Sequence, residues 1–159
     1  MRRQEKAVTD IQQIEQMIRR ATICRLGLSD NGKPYIVPLC FGYENRIVYF
    51  HAAQAGRKLD ILRNNPQVCV EFEADCELVR KEHTACCDWG MKYRSVIGFG
   101  LAEIVEDPQE KDHALQIIMR QYADSEKPFT FSPTSFERTA VIRVHIDELT
   151  GKIGGYPRE

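Results

Sequence analysis

Tyr49-Phe50-His51-Ala52-Ala53-Gln54-Ala55-Gly56-Arg57-Lys58-Leu59-Asp60-Ile61-Leu62-Arg63-Asn64-Asn65-Pro66 is the stretch on which the reading of this chain turns. Arg46 to His51 alternates apolar and aromatic groups as a strand does. The small residues from Ala52 to Gly56 then let the backbone corner. Leu59, Ile61 and Leu62 mark a short helix that has to stop near Asn65, ahead of Pro66. A strand running into a helix at Gly56-Arg57-Lys58 brings unpaired amides, the positive end of a helix dipole and two cations to one place. Such a corner suits a phosphate, because charge-assisted hydrogen bonds contribute on the order of 1.5–3 kcal/mol each. The plain alternative is that Arg57 and Lys58 are solvated charges. Basic residues in a first turn oppose the dipole unless an anion compensates them.

Outward from this corner the pattern is mostly β. Thr22 to Leu28 and Tyr35 to Tyr43 flank the turn Ser29-Asp30-Asn31-Gly32, and Glu44-Asn45 turns the chain into the strand ending at His51. Pro38 cannot donate to a ladder, so it belongs at an edge, at a bulge or beside something other than a strand. Val68 to Phe72 and the long run Lys92 to Val105 are strands, the latter with Gly98 and Gly100 suited to a bend. Thr139 to Ile146 is the last strand, and Thr150 to Gly155 a glycine-rich tail.

Two longer helices complete the set. Thr9 and Gln12 form a capping box ahead of a helix from about Asp10 to Arg20 with Ile11, Ile14, Met17 and Ile18 on one face. Asp107-Pro108 opens another that runs to about Ala123 and buries Ala114, Leu115, Ile118, Met119 and Tyr122. Lys127 to Pro133 reads as a loop. Strands joined by tight turns pair antiparallel, and closure into a small barrel removes their edges.

The chain has 159 residues, 43% hydrophobic and 28% charged, which fits one domain with a real core over residues 1–159. Its 22 basic and 23 acidic residues give no reason to expect nucleic acid or an anionic membrane as partner. The polar start, Met1 to Asp10, does not look like a secretory signal, so a cytoplasmic location is expected, with Cys24, Cys40, Cys69, Cys76, Cys86 and Cys87 reduced. No membrane span is expected either.

Several motifs resemble, in the same order, the pyridoxamine-5'-phosphate-oxidase-like split-barrel superfamily and its Nim-type, nitroimidazole-resistance branch. They are Met1-Arg2-Arg3 with its amphipathic helix, Pro34 to Leu39 with Phe41-Gly42-Tyr43, the aromatic-His-Ala and Gly-Arg-Lys-Leu-Asp corner with Leu62-Arg63, Tyr93 to Gly100, and Leu149-Thr150-Gly151-Lys152. The resemblance implies a mainly β fold, a six-stranded antiparallel split barrel of Greek-key type, flanked by a helical segment at residues 1–20 and a tail at 150–159. It also implies a homodimer with FMN at the subunit interface; related barrels hold the deazaflavin F420 or haem.

Carried over residue by residue, His51, Ala52, Ala53, Arg57 and Lys58 would hold the phosphate and ribityl chain. Val37, Pro38 and Leu39 would lie along the flavin ring, and Tyr93, Arg94 and Ser95 would contribute from the long strand. Ile36 stands near the place where true oxidases of pyridoxamine phosphate have an arginine, and their Arg-rich terminus is missing, so vitamin B6 oxidation is not implied. The implied activity is reduction of small electron-poor acceptors, nitroaromatic or quinone; a non-catalytic flavin-nucleotide or haem carrier is the alternative.

His51 could donate a proton beside the flavin or be a hydrogen-bonded strand-end histidine. Cys76, His83, Cys86 and Cys87 lack a Cys-x-x-Cys spacing and are read as free groups with no metal. His113 and His145 read as structural, and Trp89 packs over the cofactor edge or in the core.

Overall fold

A computed structural model describes residues 4–80, 86–125 and 127–157; His83 falls outside them. The first helix, α1 (Ile11–Arg20), is capped by Asp10, whose carboxylate accepts the Gln13 N–H at 2.8 Å. The cap is therefore one residue later than the expected Thr9. A carboxylate does this work with full charge in the field of the helix end. Ile14, Met17 and Ile18 on α1 are buried.

The strands in chain order are β1 (Ala7–Val8), β2 (Cys24–Asp30), β3 (Lys33–Leu39), β4 (Gly42–Glu44), β5 (Ile47–Ala53), β6 (Gln67–Val79), β7 (Gly90–Val105) and β8 (Thr139–Gly154). Their order in the sheet is β3-β2-β6-β7-β8-β5-β4, with β1 on β8, and every pairing is antiparallel. The two edge strands, β3 and β4, are joined only by Cys40 and Phe41, so the sheet curls round as a barrel.

Among the described residues eight strands stand where six were expected. One is the two-residue β1. The other arises because the single strand expected from Tyr35 to Tyr43 breaks at Cys40-Phe41 into β3 and β4. Phe41 is fully buried there, edge-on to Phe72 with ring centroids 5.0 Å apart.

The expected tail is also a correction. Thr150 to Gly154 continues β8, pairing with Tyr93 to Ile97 of β7. Its glycines answer a packing demand: a Cβ at Gly151 would meet Ile14 and Val8 at 2.9 and 3.0 Å, and one at Gly154 would meet the Tyr93 ring at 2.7 Å.

The barrel interior holds Leu26, Phe41, Phe50, Val70, Phe72, Val96 and Ile142, all but closed to solvent. A smaller second core lies under α3 (Pro108–Tyr122), where Ala114, Leu115, Ile117 and Ile118 meet Tyr49, Val105 and Val141. Asp107 caps α3 and Pro108 opens it, as the sequence suggested. A further short helix, α4 (Pro133–Arg138), begins inside the stretch read as a loop, with Ser132 as its cap. The helix after the corner is α2 (Arg57–Asn64), closed by the Asn65 N–H on the Ile61 carbonyl at 2.8 Å just before Pro66.

Candidate functional site

Gly56 precedes α2 with φ of 138°, a backbone state that side chains disfavour, and it offers no side chain to cap the helix. The Leu59 N–H reaches the Gly56 carbonyl at 2.9 Å, and among the described residues the Arg57 and Lys58 amides before it are open donors at the helix start. In front of them is a cleft of about 350 Å³. Val37, Pro38 and Leu39 of β3 form one wall, and Ala52, Ala53, Gly56, Arg57 and Lys58 the other. β3 is an edge strand, a place where a sheet accommodates a proline such as Pro38.

The two cations differ. Arg57 stacks 4.7 Å over the Tyr35 ring and reaches Asp30 at 3.3 Å, so its guanidinium is held at the rim. Lys58 is half-buried and makes no ion pair among the described residues, and desolvation lowers its pKa from the ordinary lysine value. A half-buried ammonium without a counter-charge, beside open amides, is a place for an anion.

Tyr35, Ala55 and Leu59 also line this cleft and were missed. For Tyr35 the signal was present, since it sits two residues before Val37 and therefore on the same face of the strand.

The remaining expected site residues lie elsewhere in the chain. His51, next to Ala52 on β5, lines a separate cavity of about 180 Å³ under α3 and α4. Arg94 is buried, 2.6 Å from Asp75 and 4.5 Å over the Tyr156 ring. Tyr93 lies between the ammonium groups of Lys6 and Lys152, 5.9 and 5.5 Å from its centroid. Ser95 pairs with Glu73 and Lys152 across the sheet. Trp89 is neither in the core nor against the cleft; it is 44% exposed, with Arg80 stacked at 5.4 Å.

His113 pairs with Glu44 at 3.0 Å and His145 with Glu103 at 3.2 Å, both away from the cleft. Cys24, Cys40, Cys69, Cys76 and Cys87 are free thiols. Among the described residues no group of three potential metal ligands assembles, and no helix is long and apolar enough to cross a membrane.

Residues 10–153 match the sequence pattern of pyridoxamine 5'-phosphate oxidase. The chain belongs to that family. Within the pyridoxamine 5'-phosphate oxidase fold it is similar to a candidate 5-nitroimidazole antibiotic resistance protein from Bacteroides thetaiotaomicron, at 37% identity, TM-score 0.80, 92% of this chain and 86% of that one. The flavocytochrome Anf3 from Azotobacter vinelandii superposes at TM-score 0.83 with 24% identity over 99% of this chain and 73% of that one. The FAD and heme binding protein from Mycobacterium smegmatis does so at 0.82 with 18% identity, covering 97% and 76%. At those identities the last two show the shared fold alone. No curated protein matched the sequence.

Proposed function

We propose that the protein is a cytoplasmic, homodimeric FMN-binding flavoprotein that reduces small electron-poor acceptors of the nitroaromatic, nitroimidazole or quinone type. The observation that carries the reading is the cleft in which an uncapped helix start, the uncompensated Lys58 and the tethered Arg57 face the edge backbone of Pro38. These residues fit a phosphorylated flavin: Lys58 and the two open amides would take the phosphate, and Val37 to Leu39 would offer an apolar wall to a ring. FMN supplies, when bound, two-electron redox chemistry between a nicotinamide or other reductant and the acceptor. The protein's part is to bind, orient and shield.

For the dimer, the support is an apolar row on the outer face of β7, where Ile97, Phe99 and Leu101 are 41%, 51% and 50% exposed at alternate positions. A second copy is the cover that a homodimer would supply.

The carrier reading, a protein that binds a flavin nucleotide or haem without turnover, is favoured by one observation. His51, the imidazole expected beside the flavin as a proton donor, lines the other cavity.

One set of measurements tests both. Purified protein titrated with FMN should bind it with a flavin spectrum, and Arg57→Glu with Lys58→Glu should lose that binding. Bleaching by NAD(P)H followed by reoxidation with a nitroimidazole marks the enzyme. A bound flavin that no physiological reductant bleaches marks the carrier, and an unchanged titration in the double variant refutes the phosphate site.

A further inference from the structure

The second cavity has its own construction. Its floor is Leu115 and Ile118, both buried on α3, its walls are Met119, Phe131 and Phe136, and His51 stands at its rim. Two polar clamps hold it open. The buried Gln116 donates to the Phe129 carbonyl and accepts the Phe129 N–H, both at 2.8 Å, which fixes the segment carrying Phe131 against α3. Gln54 donates to the carbonyls of Glu137 and Thr139 at 2.7 and 3.1 Å, which fixes the end of α4 against the corner after β5. Backbone groups satisfied in this way do not collapse inward, so the hollow is preformed.

Its volume and chemistry narrow the occupant. About 180 Å³ is close to the roughly 150 Å³ of an apolar cavity that takes up benzene. Ser135 and Thr139 also line it, but their hydroxyls are engaged locally, Ser135 accepting from Ser132 at 2.9 Å and Thr139 donating to the Ser135 carbonyl at 2.7 Å. The other walls are two aromatic rings and a thioether that adapts to flat shapes. His51 makes no hydrogen bond or ion pair among the described residues, so its imidazole is available to a polar atom on whatever enters. Among the described residues no carboxylate, ammonium or guanidinium lines it, which disfavours a charged guest.

We propose that this cavity is a small-molecule site for a neutral single-ring compound bearing one hydrogen-bonding group, bound with its ring between Phe131, Phe136 and Met119 and its polar atom toward His51. The site is separate from the phosphate cleft and does not depend on a flavin. His51 and Ala52 are consecutive on β5, one at each cavity, so the two sites share a single strand as their partition.

The test uses the full chain without flavin, with phenol and benzene as probes and methyl resonances of isoleucine, leucine and methionine as the readout. Saturable shifts of the Leu115, Ile118 and Met119 methyls with both probes are expected, while Leu59 at the phosphate cleft stays still. His51→Phe should weaken phenol about three- to tenfold, the worth of one hydrogen bond, and leave benzene unchanged. Met119→Trp should abolish both by filling the hollow. If that variant does not fold, Leu115→Ala serves instead: it should admit indole, which the wild-type cavity excludes. Shifts that never saturate overturn the proposal. So do shifts of the same methyls on concentrating the protein without any probe, which would mean that a second copy covers the groove.

Discussion

The Tyr122 hydroxyl accepts the Phe41 N–H at 2.9 Å and so ties the last turn of α3 to the break between β3 and β4. The same hydroxyl donates to the Thr22 carbonyl at 2.9 Å. Phe41 has turned its ring into the barrel, and its amide has left the ladder; without the phenol that N–H would be an unpaired donor beside the core. One tyrosine thus permits the strand break that frees β3 to serve as an edge along the cleft.

Tyr122→Phe should lower stability at neutral pH by about 1 kcal/mol, because the Phe41 amide loses its acceptor at a partly solvated site. Burial, as the largest cause, pushes the Tyr122 phenol up to about 12, and it does the same to Tyr43, which donates to Glu15 at 3.1 Å. Both folded values lie above the ordinary value of 10.0. The stability they contribute is complete below that ordinary value and is lost as the pH climbs through about 12. Denaturant melts across that alkaline range should show a shallower decline in Tyr122→Phe than in wild type; identical slopes would remove Tyr122 from the account.

Lys58 should behave in the opposite sense. Its folded pKa is depressed by desolvation, so the cost of the half-buried charge is present below the folded value and relieved as pH rises past the ordinary lysine value of 10.5. Lys58→Met should therefore raise the melting temperature of the flavin-free chain at neutral pH and weaken FMN about tenfold or more. Added inorganic phosphate should move the wild-type Lys58 titration back upward. A lower melting temperature in the variant, or a titration indifferent to phosphate, would show that the ammonium is already compensated.

The corner from Ala52 to Lys58 was legible because its signals are local: a strand period, small residues, then Gly56 and an apolar helical pattern within a few positions. Pro38 was legible for the same reason, since a missing donor restricts where a strand residue can sit. Tertiary effects were hidden. The break at Phe41 depends on Tyr122, more than eighty positions away, and α4 is anchored by Gln54 from another part of the chain. Glycines at 151 and 154 looked like a tail because a sequence cannot distinguish a glycine that frees the backbone from one that makes room for Ile14 or Tyr93. Neighbouring letters also concealed the split between His51, which lines the second cavity, and Ala52 and Ala53, which line the cleft, because the division falls where β5 runs into the corner.

Gly100 was read as a bend, and it sits at the register shift between Phe99 and Gly100 where β7 meets β8. A Cβ there would overlap the His145 carbonyl, and backbone cannot swing away as the tip of a side chain can. Gly100→Ala should cost about 3 kcal/mol or more, or leave the protein insoluble. A variant that melts within about a degree of wild type would mean that the bulge relaxes freely.

Arg94 provides a test that separates support from binding. Its side chain is 8% exposed and meets Asp75, which stands in a left-handed backbone state with φ of 53° at the irregularity of β6. Tyr156 lies over the guanidinium and donates to the Asp75 carbonyl at 2.9 Å, so the residue clasps the end of β8 to β6. Arg94→Met removes the nearly buried partner of Asp75, but Asp75 keeps Arg20 at 3.3 Å and is 31% exposed, so the variant should cost about 1–2 kcal/mol in denaturant melts. If Arg94 acts only as this clasp, FMN affinity of the folded variant should change by less than about threefold, within the scatter of a packing adjustment. The reverse pattern, affinity lost with stability kept, would return Arg94 to the cofactor and show that a second copy brings it to the cleft.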